Sequence, residues 1–168
     1  MHPDDLRALQ APLKQRYRDD PDAALITLTA EGRLGEGVTC RVETGRAMVE
    51  AGLHPATGGT GLAACSGDML LEALVACAGV TLNAVATAIG VAVSSGTVHA
   101  EGDLDFRGTL GVSKEAPVGF RAIRLRFDLE TAATAEELAT LLKLTERYCV
   151  VLQTLRRAPE VTATMHAA

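Results

Sequence analysis

Hydrophobic residues recur along the chain with two different periods, and the order of these periods predicts the elements of the fold. Residues 3–20 repeat apolar side chains at spacings of three and four, which is typical of an amphipathic helix. Residues 24–30 alternate as a strand does, and further alternating runs predict strands at 38–43 and 47–51. The glycines of residues 31–37 predict a turn between the first two strands.

The longest apolar stretch, residues 69–93, predicts a helix buried on nearly all sides. It is long enough to span a bilayer, but Glu72 and Asn83 lie inside it and it is rich in Ala and Gly. We therefore assign it to the core of a soluble protein. The glycine-rich segment before it, residues 54–67, lacks the Lys-Ser/Thr pair of a P-loop, and we expect it to lead into the helix with Ser66 or Asp68 as the N-cap.

The second half of the chain repeats the order of strands and then helices. Residues 96–106 and 120–129 alternate and predict an antiparallel pair. Thr134 to Glu137 resembles a capping box that opens a helix ending near Tyr148. A short helix at 150–157 and a last strand at 161–165 complete the chain. Because strands and helices are grouped, we predict an α+β fold with antiparallel sheets around a long buried central helix.

Length and composition limit the domain organisation and the classes of function that are plausible for the chain. At 168 residues the chain is expected to form a single domain, 1–168, with an N-terminal helix at 1–20 and a core at 24–165. The net charge of −5 makes nucleic-acid binding a poor hypothesis. The charged N-terminus lacks a signal-peptide core, so we expect a reducing, cytoplasmic location. No His/Cys spacing indicates a metal site, and no Ser-His-Asp signature is present.

Two of the four cysteines, Cys77 and Cys149, fall on helical segments about seventy residues apart. Free cysteine is among the most buried residue types, so two inert core thiols are the plain alternative to redox chemistry. A reactive thiol needs a lowered pKa, and a position in the middle of its own helix gains nothing from that helix's N-terminus. We therefore expect that a cation from elsewhere in the fold is required to activate Cys77.

Residues 68–77 and 146–155, taken in this order and at this separation, resemble the OsmC/Ohr family, which comprises osmotically inducible protein C and organic hydroperoxide resistance proteins. The shared pattern has an acidic residue nine positions before the first cysteine, at the start of a Leu/Ala-rich helix. The second cysteine follows a basic-aromatic approach and precedes a helix that ends in leucine. The resemblance spans residues 24–165 and implies an intertwined homodimer with active sites at the interface.

The resemblance implies a thiol peroxidase that acts on organic hydroperoxides. Cys77 would attack the O–O bond and become a sulfenic acid, and Cys149 would resolve it to a disulfide. An external dithiol of the lipoyl type would reduce the pair, with no bound cofactor. The family's activating Arg–acid pair would correspond to Arg33 and Asp68, with Arg33 acting on its own subunit or on the other one.

The chain departs from the family at two positions. Asp68 stands where the family usually has the longer Glu, and Val150 follows the second cysteine in place of Pro or Ser. Glu72 is the fallback carboxylate. The other candidates for site residues are the cations Arg41 and Arg46, the thiols Cys40 and Cys65, and the loop residue His54. A surface cation, a core or loop thiol and a polar loop histidine are the simpler interpretations of these residues.

Two further classes of function stay open at this point. One is a binding module that uses the same buried pocket for a small apolar or thiol-reactive ligand without turnover. The other is a structural dimer with passive cysteines. Formation of a Cys77–Cys149 disulfide on treatment with cumene hydroperoxide would favour the peroxidase over both.

Overall fold

The computed structural model describes residues 3–34, 40–42 and 51–167. Its elements combine five helices and six strands in these ranges, which confirms the α+β fold with an antiparallel sheet and a long central helix. In chain order they are α1 (Pro3–Asp19), β1 (Leu25–Leu34), β2 (Cys40–Val42), β3 (Ala51–Gly52), β4 (Ala64–Cys65), α2 (Ser66–Ile89), β5 (Ser95–Asp105), α3 (Phe106–Thr109), β6 (Phe120–Glu130), α4 (Ala135–Tyr148) and α5 (Val150–Arg156).

The main sheet is antiparallel with the strand order β2-β1-β5-β6, and β3 and β4 form a separate two-residue parallel pair. β1 pairs with β5 from Leu25 opposite Asp105 to Arg33 opposite Thr97. The turn predicted at residues 31–33 is therefore wrong, because these residues continue the ladder with β5. Two predicted strands lie partly outside the described residues. The parts that lie outside are residues 38, 39 and 43 of the strand predicted at 38–43, and residues 47–50 of the strand predicted at 47–51.

A bulge in β6 corrects the alternation predicted for that strand. The register with β5 shifts between Asp103, which pairs with Ala122, and Leu104, which pairs with Phe120. The extra residue, Arg121, moves Phe120 onto the inward face that Ile123 occupies, as expected for a bulge. The Phe120 ring then lies over Gly102, where an added Cβ would be 2.4 Å from the ring. The bulge thus brings an aromatic ring to the helix-covered face of the sheet.

The central helix α2 begins and ends earlier than the sequence pattern predicts. Cys65, and neither Ser66 nor Asp68, occupies the N-cap position, and it makes no side-chain capping bond. Gly90 ends the helix in the left-handed conformation at φ 74°, so the predicted extension to residue 93 is wrong. The face that packs on the sheet is fully buried and comprises Leu71, Leu74, Val75 and Ala78.

The opposite side of α2 is not covered in the single chain, which corrects the expectation of burial on nearly all sides. Met69, Leu70 and Val80 are each 38% exposed. We call these three residues the open row of α2. The helix is apolar and long enough to cross a membrane by composition alone, but 44% of its apolar window is buried within the fold. This burial against the sheet is consistent with a core helix.

Helices α4 and α5 follow the sheet and pack beside α2. The predicted capping box is confirmed: the Glu137 amide donates to Thr134 Oγ1 at 3.3 Å, and the Thr134 amide donates to Glu137 Oε2 at 2.7 Å. Leu141 of α4 packs against α2 residues Leu82 and Val85. Residues 157–167 form neither helix nor strand, so the strand predicted at 161–165 is wrong for the single chain, in which none of the described strands pairs with it.

Helix α1 fixes the turn that precedes the glycine-rich segment. The buried Tyr17 donates its hydroxyl hydrogen to the carbonyl oxygen of Ala56 at 2.7 Å. Gln10 donates from Nε2 to the carbonyl oxygen of Thr57 at 3.2 Å. These bonds hold the 3₁₀ turn Pro55–Thr57, which begins directly after His54.

Candidate functional site

Cys77 and Cys149 meet where α2, α4 and α5 converge. Cys77 lies in the middle of α2 and is half-buried, whereas Cys149 joins the end of α4 to the start of α5 and is 0% exposed. Both are free thiols in this structure. The two sulfurs are linked by a hydrogen bond in which the Cys149 thiol donates to Cys77.

Four donors surround the sulfur of Cys77 and determine its pKa. Burial is the largest single influence and opposes ionisation. The amide of Val151, the thiol of Cys149, the hydroxyl of Thr81 and the amide of Val150 all donate to the sulfur and favour the thiolate. Together they outweigh burial, and the pKa of Cys77 lies below its ordinary value. Cys77 is therefore the thiol of the pair that ionises first.

Within the described chain, the groups that lower the pKa of Cys77 are neutral donors, and activation by a cation stays a prediction. The helix that carries Cys77 gives no N-terminal help, but the first turn of α5 points two main-chain amides, Val150 and Val151, at the sulfur. Free amides at a helix start carry partial positive charge, so they serve the same purpose as a cation. The leading influences on the pKa of Cys77 are thus burial and hydrogen bonds to neutral groups.

Cys149 has the opposite character. Burial is the main cause that raises its pKa, and the hydrogen bond to Cys77 and the negative charge there raise it further, to about 11. The amides of Leu152 and Val151 lower it only in part. The pKa of Cys77 is therefore the lower of the two, and Cys149 keeps its proton at neutral pH.

Two side-chain contacts hold the bend between α4 and α5 that positions Cys149. Gln153 of α5 donates from Nε2 to the carbonyl oxygen of Glu146 in α4 at 2.7 Å. Arg156 pairs with the carboxylate of Glu146, with Nη2 and Oε1 2.7 Å apart. Cys149 itself has an extended ψ of 107°, which ends one helix and begins the other. These contacts fix the direction in which the α5 amides point.

Arg33 lies far from the thiol pair along the sheet. Its side chain is 68% exposed, and its Nη2 is 3.6 Å from Glu31 Oε1. It pairs in β1 with Thr97, at the end of β5 opposite to Asp105. The described chain does not bring Arg33 to Asp68, so a clamp between them requires a second subunit.

Asp68 lies in the first turn of α2, near the other end of the sheet. Burial is the main cause of its raised pKa, and the nearby His54 opposes the rise. The His54 ring stacks on Phe106, directly after Asp105, with centroids 4.9 Å apart. Eight residues of β5 separate Asp105 from the partner of Arg33, which corresponds to about 26 Å. Among the described residues, His54 is the group whose charge lowers the pKa of Asp68 against the effect of burial.

The other candidates lie away from the thiol pair or outside the described side chains. Cys65 is half-buried at the start of α2, twelve residues or about 18 Å along the helix from Cys77. His54 accepts the Ala56 amide hydrogen at Nδ1, 3.0 Å away, which orders the turn. Glu72 is half-buried within α2. The side chains of Cys40 and Arg41, and all of Arg46, fall outside the described part.

Cys77 lies at the edge of the open row of α2, and a separate groove has a lining that includes neither Cys77 nor Cys149. At 100° per residue Cys77 lies beside Val80 of the open row and on the side of α2 that faces α4. The groove, of about 340 Å³, lies between β6 and the two C-terminal helices. Polar and apolar atoms line it about equally, and its residues are Phe120, Arg121, Ala122, Ile123, Leu125, Phe127, Leu142, Glu146, Leu152, Leu155 and Arg156. Leu152 links the groove to the core cluster that contains Cys149.

Sequence reasoning missed the donors of the site. Thr81 follows Cys77 by four residues, so one turn of helix places both on the same face, and this spacing was available as a signal. The amides of Val150 and Val151 carry no sequence signature, because any residue supplies an amide. Among the described residues, no group of three or more His, Cys, Asp or Glu side chains is placed to hold a metal ion.

Fold and site together define an α+β protein that carries a half-buried thiol on its central helix beside a second, buried thiol. The sequence model of OsmC-like proteins matches residues 59–164, so the chain belongs to the OsmC-like protein family, which confirms the resemblance. No curated protein matches the chain in sequence.

Two crystal structures share the fold. One is an OsmC-like hydroperoxide resistance protein from Jannaschia sp. CCS1, with a TM-score of 0.59, 19% identity, and coverage of 86% of this chain and 95% of that one. The other is an OsmC-like protein from Mycoplasma pneumoniae, with a TM-score of 0.56, 16% identity, and coverage of 80% and 86%. At these identities the similarity establishes the fold.

Proposed function

We propose that the protein is a thiol-dependent peroxidase that reduces organic hydroperoxides. The Cys77 thiolate attacks the outer oxygen of ROOH, the O–O bond breaks, and the products are a Cys77 sulfenic acid and the alcohol ROH once the alkoxide has taken a proton. The Cys149 sulfur then displaces the sulfenic oxygen, which leaves as water, and a Cys77–Cys149 disulfide forms. An external dithiol of the lipoyl type reduces this disulfide and returns both thiols.

The observation that carries the proposal is the pairing of two free thiols, each of which shifts the pKa of the other in the opposite direction. Cys77 is half-buried and stabilised as a thiolate by four donors, which suits the attacking sulfur. Cys149 is buried, protonated and already in contact with it, which suits the resolving sulfur. Two passive core cysteines would not need four donors directed at one of them.

The test is a single turnover with the reduced protein and cumene hydroperoxide. We expect one equivalent of peroxide to be consumed, with a loss of 2 Da as the disulfide forms. Cys77→Ser should consume none. Cys149→Ser should consume one equivalent and accumulate a sulfenic acid that dimedone traps. Dihydrolipoamide should restore both thiols of the wild type.

Cys65→Ser provides the matched control, because Cys65 is a half-buried thiol on the same helix, about 18 Å from Cys77. It should turn over like the wild type. If the reduced wild type neither consumes peroxide nor forms the disulfide, the protein is not a peroxidase of this kind.

We also propose a homodimer whose sites lie at the interface, with Arg33 and Asp68 completing the clamp from different subunits. Two observations support this arrangement. The open row of α2 leaves apolar side chains uncovered beside Cys77. Within one chain, Arg33 and Asp68 lie near opposite ends of the sheet, so a second copy is required if they are to meet. The free thiols agree with a reducing, cytoplasmic location.

A second candidate function is the binding of a small apolar ligand without turnover. The groove between β6, α4 and α5 favours it, because eight apolar residues contribute to its lining and its volume of about 340 Å³ lies in the range of small-molecule sites. Binding that persists in Cys77→Ser, together with no peroxide consumption by the wild type, would favour this function over the peroxidase.

A further inference from the structure

The hydroxyl of Thr145 is buried without a hydrogen-bond partner. Thr145 lies on α4 and is 0% exposed, and no described residue accepts from or donates to its Oγ1. A buried hydroxyl that makes no hydrogen bond costs stability, typically about 1–3 kcal/mol. Threonine within a helix commonly relieves this cost by donating to the carbonyl oxygen four residues earlier, which here would be that of Leu141. The absence of a hydrogen bond between the Thr145 hydroxyl and any described residue therefore needs a physical reason.

Its position places it next to the resolving thiol. The Cys149 amide donates to the carbonyl oxygen of Thr145 at 2.9 Å, so the two residues are one helical turn apart. Residues with this spacing lie on the same face of a helix, with Cβ atoms about 5–6 Å apart. The fully buried face of α4 accordingly continues from Leu141 through Thr145 to Cys149.

The packing of α4 against α2 shows where Thr145 lies along the contact between these two helices. Leu141 packs on Leu82 and Val85, whereas Cys149 contacts Cys77 one to two turns earlier in α2. The two helices therefore run in opposite directions along this contact, and Thr145 lies between these two levels. Its hydroxyl is thus enclosed in the same interface as the two sulfurs.

The resolving step presents a chemical difficulty that this hydroxyl can solve. In the reduced state Cys149 keeps its proton, because burial and the charge on Cys77 both oppose its ionisation. Oxidation of Cys77 removes that charge, but burial remains. Cys149 must nevertheless lose its proton to attack, since the thiolate is the nucleophile in disulfide formation.

We propose that the Thr145 hydroxyl donates a hydrogen bond to the sulfur of Cys149 once Cys77 has been oxidised, and so activates Cys149 as the resolving nucleophile. The hydroxyl turns about its Cα–Cβ and C–O bonds to reach the sulfur one turn away. In the reduced protein Cys149 directs its own hydrogen to Cys77, and Thr145 stays idle. The proposal rests on the proposed disulfide step.

The chemistry balances without a further reagent. Cys149 gives up its proton, its thiolate attacks the sulfur of the Cys77 sulfenic acid, and the S–O bond breaks as the S–S bond forms. The hydroxide that leaves takes up a proton and becomes water. Thr145 donates a hydrogen bond throughout and keeps its own proton.

The groups that face Cys149 come from three elements. Cys77 on α2 is the titratable neighbour, and the amides of Leu152 and Val151 on α5 donate to the sulfur. On α4, the carboxylate of Glu146 forms an ion pair with Arg156. The contribution of Thr145 can therefore be separated from that of Cys77 once Cys77 is blocked.

The experiment uses 5,5′-dithiobis(2-nitrobenzoate), which needs no peroxide. The Cys77 thiolate takes one half of the reagent and releases the first thionitrobenzoate, and Cys149 then displaces the second to form the disulfide. The background is the full-length Cys40→Ser, Cys65→Ser chain. Stopped-flow absorbance resolves the two phases as a function of pH, and at low reagent excess the second phase is intramolecular.

We expect Thr145→Val, which keeps the shape and removes the hydroxyl, to slow the second phase about tenfold at pH 7 and to move its pH profile upward. The first phase should be unchanged, and the thermal midpoint should rise. Thr145→Ser should restore the second phase. If the valine variant is misfolded by circular dichroism, Thr145→Ala replaces it with the same expectation for the two phases.

A second phase that keeps its wild-type rate and pH profile in the folded variant overturns the role of Thr145. Peroxide consumption by the wild type is measured separately. A wild type that shows both thionitrobenzoate phases but consumes no cumene hydroperoxide contradicts the peroxidase, whereas the two-phase comparison still decides the role of Thr145.

Discussion

The thiol of Cys149 donates its hydrogen to the sulfur of Cys77, and this bond shifts the pKa values of the two thiols in opposite directions. It helps to lower the pKa of Cys77 and, together with burial, raises the pKa of Cys149 to about 11. The two thiols therefore differ in how readily they ionise, which suits the attacking and resolving roles proposed for them. Each partner accounts for part of the other's reactivity.

Substitution of Cys149 should therefore change Cys77, in a way that depends on the hydrogen. Cys149→Ala removes the donor and should raise the pKa of Cys77, because one bond that favours the thiolate is lost. Alkylation of Cys77 by iodoacetamide at pH 7 should slow roughly tenfold. Cys149→Ser keeps a donor and should stay close to the wild type. Equal rates for the two variants would show that the hydrogen bond contributes little.

Thr81→Val should also raise the pKa of Cys77, since it removes a hydroxyl that donates to the sulfur and keeps the side-chain shape. A higher pKa means less thiolate at pH 7, so we expect alkylation to slow several-fold, up to about tenfold. The rate should recover as the pH rises past the new pKa. Thr87→Val is the control, because the Thr87 hydroxyl on the same helix donates to the carbonyl oxygen of Asn83. A downward shift or no shift in Thr81→Val would contradict this assignment.

Gln153→Leu tests whether the bend between α4 and α5 aims the amides at Cys77. Loss of the bond from Gln153 to the Glu146 carbonyl should loosen α5 and raise the pKa of Cys77, with a stability loss of about 1 kcal/mol. Chemical denaturation measures the stability, and the pH profile of alkylation measures the pKa. Gln15→Leu is the comparison, since Gln15 contacts Asp19 on the surface of α1. Destabilisation without any change in the pH profile would limit Gln153 to a structural role.

Complementation between two inactive variants can show whether Arg33 acts on Cys77 of its own subunit or on Cys77 of the other subunit. Arg33→Met and Cys77→Ser should each be inactive as homodimers. If Arg33 acts across the interface, a mixed dimer of the two variants keeps one intact site and recovers up to about half of the wild-type activity. Peroxide consumption by co-expressed, differently tagged chains measures this recovery. No recovery in verified mixed dimers would place the activating cation within the same chain or elsewhere.

Val80→Glu should weaken the proposed dimer, because it places a charge within the open row of α2. Light scattering coupled to gel filtration should show a shift from dimer to monomer. Glu136→Lys, at an exposed position of α4, is the control for a change of surface charge. A wild type that is monomeric at all concentrations tested would contradict the dimer.

Local patterns predicted those parts of the fold that local interactions determine. The spacing of Thr134 and Glu137 predicts the capping box, and the apolar run predicts α2 with Cys77 near its middle. The end of α2 at Gly90 and the bulge at Arg121 were missed, because a left-handed glycine and an extra strand residue leave the hydrophobic pattern almost intact.

The candidate site was predictable only as a pair of thiols. The family resemblance pointed to Cys77 and Cys149, and the hydrogen bond between them fits that hypothesis. The amides of Val150 and Val151 could not be found, since their effect depends on where a helix begins in space and not on their side chains. The same applies to Thr145, whose hydroxyl is notable because it lacks a partner among the described residues.

The source of the low pKa at Cys77 has a consequence for the conditions under which the protein works. A guanidinium on a mobile side chain is screened by dissolved ions and can be drawn away by competing anions. The α5 amides are fixed in the backbone and carry no net charge, so dissolved ions do not draw them away from the sulfur. The part of the lowered pKa that they supply should therefore persist as ionic strength rises, and iodoacetamide, an uncharged probe, should alkylate Cys77 of the Arg33→Met variant at nearly the same rate in dilute buffer and in 1 M KCl.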